Sequence, residues 1–333
     1  MKDMPCGHGR HLLDITDLTP AELDQVMAMA ETGVGGLGRV LEGSGAALVF
    51  EKPSARTRSS TEMAVHHLGG HPVYIQGSEI GMDVRESVED AARTLACYHA
   101  VICARVMDHR TLIRMASALD EASSAVPVVN LLSDVAHPCQ AIADLLTVRE
   151  AFGSAADRTL AFVGDANNVW RSLAWAGVYQ GMALRIASPP GYGPPREDLE
   201  ALERAGGDVT PLVDPEEAVA GADVIYTDVW TSMGQEAEAE ARREAFRGYC
   251  VDEALVSKAS PSAIVLHCLP AHRGEEISTA VIEGPASRVW RQAANRMPAA
   301  LGVLAWLLEP SRASHGASGQ RHESVPPGGG DVG

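Results

Sequence analysis

The chain has 333 residues, enough for two domains of ordinary size, and its 46% apolar and 21% charged composition suits a sizeable core. A formal net charge of -17 argues against nucleic acid and anionic membranes as partners, so an anionic ligand would need a local basic pocket. The six cysteines (Cys6, Cys97, Cys103, Cys139, Cys250 and Cys268) include no C-x-x-C pair, which weighs against a zinc ribbon or a redox dithiol. Residues 1–9 are polar and lack a signal-peptide core, and the apolar run 299–308 is too short to span a bilayer. A cytoplasmic protein with reduced thiols is the expectation.

In chain order, a helix is predicted from Pro20 to about residue 31. Thr19 is its N-cap, Pro20 its first residue, and Glu22 closes a capping box. The run Gly33-Val34-Gly35-Gly36-Leu37-Gly38 matches G-x-G-x-x-G. It follows a helix and precedes a strand, the reverse of a dinucleotide site, so it reads as a loop.

Residues 46–50 form a short apolar run, a buried strand, broken by Pro53. Ser54, Arg56, Thr57 and Arg58 then open a helical pattern over 59–68 that closes at Gly69-Gly70. Guanidiniums, hydroxyls and free backbone N–H groups at a helix N-terminus favour an anion, and arginine's planar fork suits phosphate. Alone, the same residues could be a solvated face with Ser54 as a plain cap.

Strand 72–76, helix 86–99, strand 101–104 ending on Arg105, a helix to 119, strand 126–131 and helix 140–152 complete a first βαβ alternation. A second runs through strand 159–163, the loop Gly164-Asp165-Ala166-Asn167-Asn168, a helix to 180, strand 183–187 and helix 196–205. Strand 224–227 then ends on Asp228, an acidic helix is expected over 235–247, and strand 263–266 ends at His267-Cys268. A last helix, about 294–308, has the apolar content to pack back on the body. Beyond 309 the composition predicts disorder. The class is α/β, with parallel sheets covered by helices and ligands at the carboxyl ends of strands.

Four clusters fall at such ends: 54–58, His137-Pro138-Cys139-Gln140, 228–234 and 267–274. Each has an ordinary reading: a loop histidine, a capping aspartate, a structural thiol. Their joint occurrence at one edge favours a site. Nothing in them calls for a metal or an organic cofactor, although Cys268 and Asp228 could take up adventitious zinc.

As motifs, F-E-K-P-S-x-R-T-R (50–58), H-P-C-Q (137–140), D-V-W-x-S-M-G (228–234) and H-C-L-P-A-H-R-G-E-E-I (267–277) resemble those of the carbamoyltransferases, and the last two those of the ornithine branch. The resemblance runs from about residue 11 to 308. It implies two doubly wound parallel-sheet domains joined by interdomain helices. The expected division is 1–137 for carbamoyl phosphate, a linking helix 138–152, 153–292 for ornithine, 293–309 packing back, and a tail 310–333. It further implies a homotrimer that converts carbamoyl phosphate and L-ornithine to L-citrulline and phosphate.

Carried over residue by residue, Ser54, the Ala55 N–H, Arg56 and Thr57 would hold the phosphate. Arg105, His137 and Gln140 would bind the carbamoyl group, and Arg296 would close on it. Asn168, Asp228, Ser232 and Met233 would bind ornithine, with Cys268 and the Leu269 carbonyl beside the reacting amine. The catalytic set is then Arg105, His137, Asp228 and Cys268. Several positions depart from the family pattern: Ala55 for Thr, Glu79 for a Gln that reaches a neighbouring subunit, Ala294 for Glu, and Pro298 for His. Pro298 predicts that the last helix starts or kinks there. These departures leave two other readings open: a carbamoyltransferase for a related amine, or a weakly active homologue with a binding or assembly role.

Overall fold

The computed structural model describes residues 10–231 and 236–309. Cys6, Ser232, Met233 and the tail expected beyond 309 lie outside them. In the first half the elements are α1 (Pro20–Thr32), β1 (Gly45–Phe50), α2 (Ala55–His67), β2 (His71–Gln76), α3 (Gly77–Ile80), α4 (Val88–Ala96), β3 (Val101–Arg105), α5 (His109–Glu121), β4 (Val128–Leu132) and α6 (Pro138–Phe152). The second half holds β5 (Thr159–Val163), α7 (Asn168–Tyr179), β6 (Ala183–Ala187), α8 (Arg196–Arg204), β7 (Asp208–Leu212), α9 (Pro215–Val219), β8 (Val224–Thr227), α10 (Ala239–Ala245), α11 (Glu253–Val256), β9 (Ile264–His267), α12 (Thr279–Ile282) and α13 (Val289–Leu308).

All pairings within the two sheets are parallel, in the orders β2-β1-β3-β4 and β7-β6-β5-β8-β9. Each order reverses once, between β1 and β3 and between β5 and β8. The carboxyl ends at such reversals open a crevice where ligands bind. Both prolines in strands, Pro72 in β2 and Pro211 in β7, lie on edge strands, where a missing N–H is tolerated. The strand β7 has no apolar alternation and is mostly exposed, so nothing in its pattern announces it.

The cap at Thr19 forms as the residues dictate: Glu22 N–H donates to Thr19 Oγ1 at 3.2 Å and Thr19 N–H to Glu22 Oε2 at 2.9 Å. The glycine run 33–38 is a loop. Glu79 turns its carboxylate onto its own chain, accepting from Gln76 N–H at 3.1 Å. In place of one acidic helix over 235–247, a 3-10 turn at Glu236–Glu238 leads into α10.

One apolar core runs unbroken through both halves. It joins Leu48 and Phe50 of the first sheet to Phe162 and Tyr226 of the second through α6 and α13. Smaller clusters cover the far face of each sheet. Along α6 every residue from Pro138 to Val148 is buried, as a helix between two bodies must be.

The expected start or kink at Pro298 is not found. Helix α13 begins at Val289 and continues unbroken through Asn295–Leu301 to Leu308, with Pro298 inside it. An interior proline removes the N–H that would reach the Ala294 carbonyl and costs about 3 kcal/mol. That cost is met by packing, since α13 lies against α1, α2 and α6 and buries Ala299, Ala300, Leu301, Val303 and Leu304.

Gly302 is where α13 crosses α1. A Cβ there would lie 2.4 Å from the Val26 carbonyl oxygen and 2.9 Å from Ala30 N, both backbone atoms that cannot step aside. Gly302→Ala should therefore destabilise the fold by roughly 1–3 kcal/mol through overpacking, read as a lower urea midpoint at unchanged slope. An unshifted midpoint would show that the helices do not cross this closely.

Candidate functional site

All the described cluster residues lie where the chain leaves the carboxyl ends of strands. Ser54 to Thr57 follow β1, Arg105 ends β3, and His137 follows β4. Asn167 and Asn168 follow β5, Asp228 follows β8 and Cys268 follows β9. The last helix adds Arg296 from a distance in sequence no strand-end pattern could show.

On the first-half side, Ser54 is the N-cap of α2 and Ala55 its first residue. Thr57 is the focus. Its hydroxyl oxygen lies 3.2 Å from Ser54 Oγ, 3.5 Å from Arg105 Nη1 and 3.4 Å from Arg296 Nη2. Arg56 is exposed on the first turn of α2. Burial, with Arg296 and Arg56 close by, lowers the Arg105 guanidinium to about 10, so it remains a cation. Neither Arg56 nor Arg296 has a carboxylate partner among the described residues. A chain of strong negative charge thus keeps a cationic focus where donors converge at a helix N-terminus. Arg58 faces elsewhere: it pairs with Glu62 at 2.7 Å and covers the Tyr74 ring at 3.9 Å.

His137 caps the seam. Its N–H donates to Ser172 Oγ of the second half at 2.8 Å, and Pro138 occupies the first position of α6. The ring is buried, and its Nδ1 meets no hydrogen-bond partner among the described residues. Burial first, then the Arg296 and Arg105 charges, hold its pKa well below the ordinary histidine value. The imidazole is neutral and has one N–H to offer a carbonyl oxygen. Gln140, three residues on, takes Arg296 Nη1 on its Oε1 at 2.5 Å.

On the second-half side, Cys268 Sγ donates to Asp228 Oδ1 at 3.1 Å, and Asn167 Nδ2 donates to Asp228 Oδ2 at 2.9 Å. Burial and the Asp228 carboxylate push the Cys268 thiol well above its ordinary range, so it stays protonated. Asn168 points back across the seam, its Nδ2 on the Ser133 carbonyl at 2.6 Å. Sequence reasoning named Asn168 and overlooked Asn167, which also caps α7 by accepting from Val169 and Trp170 N–H. A capping asparagine after a strand was the available signal. Leu269 sits in the left-handed region at φ 61°, held by its N–H donating to His267 Nδ1 at 2.9 Å. Ser232 and Met233 are outside the described residues.

Asp228, His267 and Cys268 bring ligand-type atoms within 4.8 Å of one another. Both ring nitrogens of His267 are engaged, by Leu269 N–H and by Glu276 Oε1 at 3.1 Å, and Cys268 and Asp228 are engaged with each other. His272, Glu275 and the buried Glu276 form a second such group later in the same loop.

Two family models match the chain. The carbamoyl-P binding domain of aspartate/ornithine carbamoyltransferase matches residues 10–150, and the Asp/Orn binding domain matches residues 156–307. The chain is 48% identical to an ornithine carbamoyltransferase of Acidothermus cellulolyticus over 311 residues, 90% of this chain and 97% of the relative. Among solved structures, that of ornithine carbamoyltransferase from Pyrococcus furiosus is 43% identical, with a TM-score of 0.84 over 92% of this chain and 99% of that one. The Thermus thermophilus ornithine carbamoyltransferase is 42% identical, with a TM-score of 0.81 over 92% of this chain and 100% of that one.

The protonated thiol makes a direct prediction. Carbamidomethylation of Cys268 at pH 8 should be roughly tenfold or more slower than that of free cysteine, because the thiolate is the nucleophile. Asp228→Asn removes a negative charge beside the sulfur, lowers the thiol pKa and should speed the reaction. Peptide mass spectrometry over a time course reads both; equal rates in the two proteins would contradict the pairing.

Proposed function

The chain belongs to the aspartate/ornithine carbamoyltransferase family, and we propose that within it the protein transfers the carbamoyl group of carbamoyl phosphate to the δ-amine of L-ornithine, giving L-citrulline and phosphate. The observation that carries this reading is the convergence of Arg105 and Arg296 on the Thr57 hydroxyl, with Arg56 on the same helix turn. The Cys268–Asp228 pair at the second sheet's edge supplies the other substrate's side. The protein takes part in arginine metabolism, in the cytoplasm, as a homotrimer.

In this reading the first half binds carbamoyl phosphate, α6 links, the second half binds ornithine, and α13 returns to the first. Ser54, the Ala55 N–H, Arg56 and Thr57 take the phosphate oxygens at the positive end of α2. Ala55 costs little there, because its contribution is a backbone N–H. Arg105 and His137 donate to the carbamoyl carbonyl oxygen, and Gln140 holds the group from the α6 side. A neutral imidazole suits this task, since it donates a proton it does not lose. Arg296 lies over both ends, and Cys268 and the Leu269 carbonyl flank the carbamoyl nitrogen and the incoming amine.

Ornithine's α-amino acid head is held by Asn168 and the Ser232-Met233 loop. Its side-chain ammonium must shed a proton before it can attack. Asp228, bridged to Asn167 and Cys268, orients that amine with a carboxylate while the protonated thiol adds no second negative charge. The amine lone pair forms the new C–N bond, and negative charge develops on the carbonyl oxygen under Arg105, His137 and Thr57. Collapse of the tetrahedral species breaks the C–O bond to phosphate, which takes up the proton the attacking nitrogen gives up and whose remaining charge Arg56 and Arg296 offset. Holding two substrates in attack geometry between two bodies supplies the orientation part of the rate.

Purified protein with carbamoyl phosphate and a panel of ornithine, lysine, putrescine and N-acetylornithine tests the proposal. Citrulline from ornithine, with the other amines poor, is the expected result. Another amine preferred would point to the related-amine reading, and no product from any amine to an assembly role. Arg56→Ala should raise KM for carbamoyl phosphate roughly 10- to 100-fold, the worth of one charge-assisted hydrogen bond. Unchanged carbamoyl-phosphate kinetics would mean the phosphate sits elsewhere. Light scattering of the wild-type protein tests the trimer.

A further inference from the structure

We propose that Asp144 is a positioning residue that fixes, through two glutamine amides, the carbamoyl-phosphate side and the ornithine side of the site together. This rests on the function proposed above. Asp144 lies on α6, four residues after Gln140 and on the same face, and is fully buried. Its Oδ1 accepts from Gln140 Nε2 and from Gln292 Nε2, each at 2.7 Å, and its Oδ2 accepts from Tyr226 OH at 3.1 Å. Gln292 Nε2 also donates to the Tyr226 oxygen at 3.1 Å.

Oδ1 accepts both amides whether the group is a carboxylate or an acid with its proton on Oδ2, beside the Tyr226 oxygen. Both glutamines must therefore turn their NH2 groups toward Asp144 and their carbonyl oxygens away. Gln140 then presents Oε1 to Arg296 Nη1, which aims a guanidinium that also reaches Thr57. Gln292 presents Oε1 to His267 N–H at 2.8 Å, at the residue before Cys268. A reversed amide at either place would set NH2 against a guanidinium or a backbone N–H. The line Thr57, Arg296, Gln140, Asp144, Gln292, His267 thus crosses the seam through one acceptor.

Asp144, Tyr226 and Gln292 are each almost wholly buried, so they act on substrate only through other residues. Burial raises the Asp144 carboxyl to about 7 even with three donors and the Arg296 charge nearby. A buried acid of this kind is poor value for stability alone, since an apolar side chain of similar volume often does as well or better. Its chemistry as an acceptor is what the two amides need.

The test uses full-length wild type, Asp144→Leu, Asp144→Asn and Gln292→Met, with folding checked by thermal unfolding and citrulline formation followed at varied concentrations of each substrate. Asp144→Leu leaves Gln140 Nε2 without its acceptor and Gln292 Nε2 with the Tyr226 oxygen alone, and should raise KM for carbamoyl phosphate and for ornithine by about tenfold each. Asp144→Asn keeps an oxygen for both amides and an NH2 for Tyr226, and should return most of that loss. Gln292→Met removes the acceptor of His267 N–H and one donor to Asp144 but leaves Gln140 its own bond to that carboxyl, so it should raise KM for ornithine while KM for carbamoyl phosphate stays within about twofold.

A folded Asp144→Leu with both KM values at the wild-type level, and kcat lowered only with the folded fraction, overturns the proposal. Where Asp144→Leu does not fold, Gln292→Met decides: a selective rise for ornithine supports the proposal, and no selectivity overturns it. Wild type that forms no citrulline overturns the functional reading and this inference with it, whereas active wild type with unaffected variants overturns the inference alone.

Discussion

Arg296 is the interaction on which the rest of the arrangement depends. It sits on α13, near the end of the described chain, yet its guanidinium reaches Thr57 at the start of α2 and Gln140 at the start of α6. Three distant parts of the sequence are held at one buried cation. To place it, α13 must continue without a break through Pro298, touch α1 at Gly302, and lie along α6. The pairs 140 with 296, 144 with 292 and 150 with 291 run in opposite order, so the two helices are antiparallel. Spacing of four puts Gln140 and Asp144 on one face of α6, and Gln292 and Arg296 on one face of α13.

The charges follow from what burial does to each group. Arg105 and Arg296 lose some proton affinity by desolvation but stay cationic, because a guanidinium starts so high. His137 starts near neutrality, and the same burial beside the same cations leaves it uncharged. Cys268, beside Asp228, goes the other way and keeps its proton. The seam therefore carries fixed positive charge that suits an anion, a neutral N–H that suits a carbonyl oxygen, and a carboxylate beside a protonated thiol. None of these states is visible in a sequence; each depends on which neighbours the fold supplies.

Legibility differed between the site and its support. The strand-end clusters could be read because their signals are local: an apolar run, a breaker, then residues whose chemistry faces a strand's carboxyl end. The same reasoning removed the glycine run 33–38 on context. It failed at Pro298, where local sterics argued for a break and the packing of α13 against three helices outweighed them. It passed over β7, an exposed edge strand whose proline reads as a breaker. Asn167 escaped because adjacent asparagines differ only in direction, one toward Asp228 and one toward Ser133.

By itself the sequence determined the class of fold, the edge of the sheets where chemistry gathers, and the residues at that edge. Those properties depend on period, breakers and side-chain type within a few residues. Only the tertiary structure decided how the two edges face each other, that Arg105 and Arg296 meet at Thr57, which proton each buried group keeps, and that Asp144 joins Gln140 to Gln292. Each of these is set by contacts between residues more than a hundred positions apart, or by the dielectric around a group. Such contacts are made by packing, and no local pattern encodes them.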